Sequence, residues 1–242
     1  MAQPLDNVSR IRRSDTQRQQ LPEEVASYVR ELIISGAVRP GEFLRLEPIA
    51  DAVGVSTTPV REGLLTLRSE GFVQLVPRRG FIVAPFTRQD VHDLFWAQAK
   101  LAGELAARAA KQITPAHISS LEAIADEFEQ ANRLGEKARI ATLGHSFHRE
   151  VNLAAHSDRL ALLLGTVAKQ LSNRFYASIE GQVASTRDDH RALLDALRAS
   201  DARKARSVME GHILSGAEHL VASLERRGLW ESEEQAPRAK EA

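Results

Sequence analysis

Cysteine is absent from the 242 residues, which excludes disulfides and thiolate metal sites and leaves His, Asp and Glu as the side chains able to hold a metal. No apolar run approaches the ~20 residues that cross a bilayer. The opening stretch MAQPLDNVSRIRRSDTQRQQ lacks the apolar core of an export signal. A cytoplasmic protein without a membrane partner is expected. A surplus of one charge is missing too, since 32 Lys and Arg balance 32 Asp and Glu. Nucleic-acid binders usually carry a basic excess, and residues 1–88 hold only 12 basic against 10 acidic side chains. Any phosphate-binding face must therefore come from placement of charge, not from composition.

What is present is an ordinary soluble composition, 43% hydrophobic and 26% charged, in a chain long enough for one small and one medium domain. Residues 1–20 are polar and aperiodic, so an irregular tail is expected there. From Leu21 the pattern turns helical, with Leu21, Val25, Tyr28, Val29, Leu32 and Ile33 forming one stripe that Gly36 and Pro40-Gly41 end. A short stretch, Glu42–Leu46, leads to a small helix around Pro48–Val53. Gly54-Val55-Ser56 breaks that helix, and Ser56 is a good N-cap for a third helix over about Thr57–Glu70. There Val60, Leu64 and Leu67 face inward, leaving Thr57, Thr58, Arg61 and Arg68 outward. Alternation in Phe72–Val76 and Phe81–Val83 around Pro77-Arg78-Arg79-Gly80 makes a hairpin.

Helix, helix-turn-helix, hairpin is the winged-helix order, over residues 21–86. Beyond it the chain reads as helices at about 87–111, 114–133, 138–156, 158–179, 185–199 and 201–227, with a charged tail from 229 to 242. Thr87 with Asp90, and Thr114 before Pro115, mark two helix starts. The expected fold is mainly α: an N-terminal winged helix-turn-helix and a C-terminal all-α helical bundle over 87–228.

A recognition helix presents its first turns to base edges, while neighbouring residues and the wing hold phosphates. Arg61 can donate two hydrogen bonds to a guanine edge, and Thr57 and Thr58 can meet phosphate or a thymine methyl. Arg78, Arg79 and Gly80 at the hairpin tip suit a wing. The runs ValArgProGlyGlu (38–42), ArgLeuGluProIleAlaAspAlaValGlyValSerThrThrProValArgGlu (45–62) and ProArgArgGlyPheIleVal (77–83) resemble the GntR family of bacterial regulators across residues 21–86. The resemblance implies that Ser56, Thr57, Thr58 and Arg61 lie in the recognition region and that Arg45 and Gly80 also approach DNA. Many relatives carry arginine where this chain has Glu47 and Thr57, which removes two donors from the usual base contacts.

Eight histidines are present. His145, His148 and Asn152 share a helix face, and His190 and His212 lie on two later helices, so imidazoles from three helices can converge on a metal. PheHisArgGluVal (147–151), AspHisArgAlaLeuLeuAspAlaLeu (189–197) and GlyHisIle (211–213) resemble the FCD ligand-sensing domain found in many GntR regulators. That resemblance implies a divalent ion, zinc or nickel, on His148, His190 and His212, with a small organic acid completing its coordination. The family's Asp or Asn four residues before the first histidine is Gly144 here. Either His145 substitutes for it, or water or effector fills the vacancy. Gln98 and Ala102 stand where relatives often place an arginine and a glutamate, and Arg174 is a second candidate for a carboxylate partner.

These features together read as an effector-controlled regulator, a repressor by the family's habit, that binds a palindromic operator as a homodimer. Two other classes stay open on the residues alone. A metallohydrolase needs a general base, yet Glu150 points away from His148 and no HExxH arrangement exists. A DNA-binding protein with a merely structural helical domain would show weak sequence preference and no effector response.

Overall fold

The structure, a computed structural model, describes residues 5–171 and 186–230 and divides into two compact units. One comprises residues 1–86 with 227–242, the other Thr87–Arg226.

In the first unit, α1 (Leu5–Ile34), β1 (Phe43–Leu44), α2 (Leu46–Val53), α3 (Thr57–Ser69), β2 (Val73–Val76) and β3 (Gly80–Val83) follow in order. Helix α1 begins at Leu5, where an irregular tail to residue 20 is expected. Residues 5–21 contain no glycine or proline and are rich in arginine and glutamine, good helix formers, so propensity extends the helix without apolar periodicity. The buried face is Val25, Ala26, Val29, Ile33 and Ile34, against Val60, Leu64 and Leu67 of α3. Tyr28, expected inside, is 36% exposed, and Arg30 is buried in its neighbourhood at 2%. Helices α1 and α3 approach closely at Gly63, where a Cβ would stand 2.7 Å from the Pro22 carbonyl oxygen.

The sheet runs β1–β3–β2, antiparallel throughout. Strand β1 pairs Phe43 with Ile82 and Leu44 with Phe81, a partner the sequence does not announce. The hairpin pairs Val73 with Val83 and Val76 with Gly80. At its tip Arg78 adopts φ +63° and Gly80 φ +104°, so a non-glycine residue is held in the left-handed region at the point of the wing.

Trp230 belongs to this unit as well. It is 4% exposed, and its Nε1 donates to the Phe86 carbonyl at 2.7 Å. The C-terminal tail expected from 229 is thus corrected at its start, because an indole is large enough to complete a core from a distant part of the chain. Residues 231–242 lie outside the described residues.

The second unit holds α4 (Arg88–Gln112), α5 (Pro115–Leu134), α6 (Lys137–Ala154), α7 (Asp158–Ala168), α8 (Thr186–Arg198) and α9 (Ala202–Arg226). Thr87 and Asp90 form a reciprocal capping box, with the Thr87 N–H donating to Asp90 Oδ2 at 2.6 Å. Thr114 caps α5 ahead of Pro115, and His117 completes that box. The long helices α4 and α9 pack along each other at glycine and alanine positions. At Gly103 a Cβ would meet Glu210 Cγ at 2.5 Å, and small residues permit that approach. Leu105, Leu121, Phe147, Val151, Leu193, Leu197 and Met209 form the core.

Of the helix expected over 158–179, the described part is helical over Asp158–Ala168 and not over 169–171, while 172–179 lie outside the described residues. Gly165, Thr166 and Val167, a glycine and two β-branched residues, weaken its last turn. No described helix is long and apolar enough to cross a membrane.

Candidate functional site

Both units carry concave sites among the described residues. In the first, Arg45, Glu47, Arg61, Arg78, Arg79 and Gly80 line a cavity of about 750 Å³ between β1, the start of α2, the first turns of α3 and the hairpin tip. Arg45, Arg61, Arg78 and Arg79 are all exposed. Several arginines elsewhere pair with carboxylates, among them Arg30 with Glu70, Arg139 with Glu127 and Arg198 with Glu122. None of the four in the cavity makes an ion pair among the described residues. Four guanidinium groups gathered on one exposed concavity raise the local positive potential, which favours approach of a polyanion such as duplex DNA.

Arg79 lies over the Phe43 ring at 4.6 Å, so β1 braces the wing through a cation–π contact. Ser56 occupies the N-cap position of α3 as expected, but its side chain makes no capping bond. Arg45 at the start of α2 makes none either. Both helix starts therefore keep backbone N–H groups for an external acceptor, and phosphate oxygens are suited to them. Thr57 and Thr58 are exposed in the first turn of α3, outside the cavity lining. Glu47 is the lone carboxylate of that lining, and its own position in the sequence, at the start of the second helix, is the signal that marks it.

In the second unit, α6, α8 and α9 bring His148, His190 and His212 together, with one ring nitrogen from each inside a 4.8 Å group. The Nε2 atoms of His148 and His212 stand 3.2 Å apart. Two nitrogens bound at ~2.05 Å to a tetrahedral ion stand about 3.3 Å apart, so the residues fit a metal of zinc's size. His190 is 3% exposed and stacks on Phe147 at 4.3 Å with Phe128 edge-on at 5.3 Å, which fixes its ring. Gly144, buried on α6, offers no side chain. His145 is exposed and lies outside the three-histidine group; one residue beyond Gly144 on the helix, its side chain leaves about 100° away from that position.

Beside this group lies a cavity of about 380 Å³ lined by Gln98, Ala102, His145, His148, Arg149, Asn152, Leu164, Gly165 and Ile213, among others. His148 belongs to both the nitrogen group and the cavity wall. Gln98 is 3% exposed, and Asn152 Oδ1 is buried with no hydrogen-bond partner among the described residues. Arg174, also expected in the pocket, lies outside the described residues. Asp189 was not singled out by spacing, although it precedes a histidine of the group. Its Oδ2 is 3.2 Å from His212 Nδ1.

Comparison with known proteins agrees with this arrangement. The profile of bacterial regulatory proteins of the gntR family matches residues 21–83, and that of the FCD domain matches residues 93–215. The Exu regulon transcriptional regulator of Escherichia coli K12 is 29% identical over 222 residues, 82% of this chain and 83% of its own. The transcriptional repressor GlaR of the same organism is 27% identical over 199 residues, 76% of this chain and 88% of its own. The solved structure of E. coli McbR, 21% identical, superposes over 86% of this chain and 98% of its own with a TM-score of 0.60, a likeness of fold. The exposed arginine concavity on a winged helix, the helical unit and these matches lead to one statement: this chain belongs to the GntR family of DNA-binding transcriptional regulators, of the kind that carries an FCD domain.

Proposed function

We propose that this regulator senses a small organic acid in the 380 Å³ cavity of its helical unit, and that binding there changes its affinity for a palindromic operator held by a homodimer. The observation that carries this reading is the double position of His148, in the three-histidine group and in the cavity wall. His148, His190 and His212 would hold a divalent ion through ring nitrogens. An all-imidazole set suits zinc or nickel. When bound, such an ion supplies a Lewis-acidic position for a carboxylate oxygen. Asn152 Oδ1 is an acceptor available to a hydroxyl group of the same molecule, the Gln98 amide can orient it, and Ala102, Leu164 and Ile213 cover its apolar body.

On the DNA side, Arg61 reads a base edge, while Arg45, Arg78 and Arg79 hold phosphates; Ser56, Thr57, Thr58 and Gly80 lie at the same surface. The similarity to GlaR, a transcriptional repressor, supports repression relieved by effector. The helical unit closes the dimer, so that two wings and two recognition helices span two half-sites.

The test is an operator obtained by selection from random duplexes, titrated with the zinc-loaded protein in the presence of a panel of small mono-, di- and hydroxycarboxylates. At least one acid is expected to shift operator affinity by about 5–150-fold, the usual range of allosteric coupling. Metal uptake with no response to any carboxylate would remove the acid-sensing reading.

A further inference from the structure

The three-histidine group contains no carboxylate, yet one stands directly behind it. Asp189 and His190 are consecutive on α8, so their side chains leave the helix about 100° apart. His190 turns into the core, 3% exposed. Asp189 reaches across to α9, where its Oδ2 lies 3.2 Å from Nδ1 of His212. The other nitrogen of that ring, Nε2, faces Nε2 of His148 at 3.2 Å. The His212 side chain is 10% exposed and that of Asp189 is 30% exposed, so the contact is partly shielded from water.

We infer that Asp189 is the positioning residue of the metal centre. It accepts the Nδ1–H of His212, which confines the proton to Nδ1 and leaves the Nε2 lone pair pointing at the ion. A carboxylate behind an imidazole also makes the ring a stronger donor. With Gly144 in place of a carboxylate ligand, Asp189 is the negative charge that partly offsets the ion, delivered through His212 and not by direct coordination. One turn of α8 thus serves the site twice, with a ligand from residue 190 and an orienting group from residue 189.

This inference rests on the three-histidine reading, and its test separates the two. Zinc affinity is measured by competition with a chromogenic chelator for the full chain and for Asp189→Asn, Asp189→Ala and Asp188→Asn. Asp188 is the control because it shares the first turn of α8 and any favourable interaction with the helix dipole. Both Asp189 variants are expected to bind zinc about 10–100-fold more weakly, the usual effect of losing an outer partner, whereas Asp188→Asn keeps the affinity of the native chain.

A second readout uses no metal. Long-range ¹H–¹⁵N spectra of the metal-free protein should show His212 as the Nδ1–H tautomer, and Asp189→Ala should move it toward Nε2–H. Asp189→Asn keeps the side-chain shape, so it carries the affinity comparison if the alanine variant folds poorly. Equal zinc affinity in Asp189→Asn and the native chain, or an unchanged His212 tautomer in Asp189→Ala, would overturn the inference while leaving the metal site standing. Failure of the native chain to take up zinc would overturn both.

Discussion

Glu70→Ala is expected to lower the stability of the winged-helix unit by about 3–5 kcal/mol, the cost of leaving a buried charge without its partner. Arg30 is 2% exposed on α1 and meets Glu70, the C-cap of α3, through Nε at 3.1 Å and Nη2 at 3.0 and 2.7 Å. Phe72 covers the guanidinium from one side at 6.0 Å. Removing the carboxylate strands a guanidinium that is 2% exposed, beside Phe72, without its acceptor. A domain of this size has roughly 5–15 kcal/mol in total, so the variant should unfold at markedly lower urea concentration in the transition assigned to this unit. Converting both partners together to apolar residues of similar volume should restore much of the loss, because neither charge then remains buried alone. A loss below about 1 kcal/mol, typical of an exposed pair, would mean that water reaches Arg30. The clamp also ties the C-terminal end of α3, the helix that carries Arg61, to α1.

His148→Ala is expected to weaken zinc or nickel binding by at least about 100-fold, because even outer-shell partners are worth ~10–100-fold and this change removes one of three imidazoles. Operator affinity without effector should stay near that of the native protein, while any shift caused by a carboxylate disappears. His145→Ala is the matched control. It removes an imidazole from the same cavity wall but from outside the nitrogen group, and so should retain the metal. Chelator competition on the three proteins decides the matter. Equal metal affinity in His148→Ala and the native chain would show that the ion binds elsewhere.

Much of the DNA-binding unit is legible in the sequence because its signals are local. The apolar positions Val60, Leu64 and Leu67 recur at helical spacing, and the hairpin turn sits between two alternating runs. What escapes is non-local. Strand β1 has two residues and no period of its own, and it exists only because Phe43 finds Ile82. Trp230 is 144 residues from the carbonyl it binds. Arg30 looks like a solvated charge beside an apolar stripe until Glu70, forty residues on, is placed next to it.

One compositional signal was available and bears on the DNA face. All twelve basic residues of the first 88 are arginine, the side chain whose planar fork suits phosphate and guanine. In the helical unit, spacing alone put His145 and His148 on one face. Which imidazoles meet depends on how α6, α8 and α9 pack: His145 and His148 both line the cavity, but only His148 joins the three-histidine group. Asp189 was hidden for the same reason, because its partner His212 lies on another helix.

The most direct test of the central claim, that the arginine concavity reads DNA, is a comparison of the native chain with Arg61→Ala on the selected operator and on a scrambled duplex of equal length, at one fixed salt concentration. Loss of a bidentate guanine contact is worth about 1–3 kcal/mol. A drop in operator affinity of that size is expected, with scrambled-duplex affinity changed much less and base preference relaxed at one position of each half-site. Unchanged operator affinity and preference in Arg61→Ala would contradict that claim.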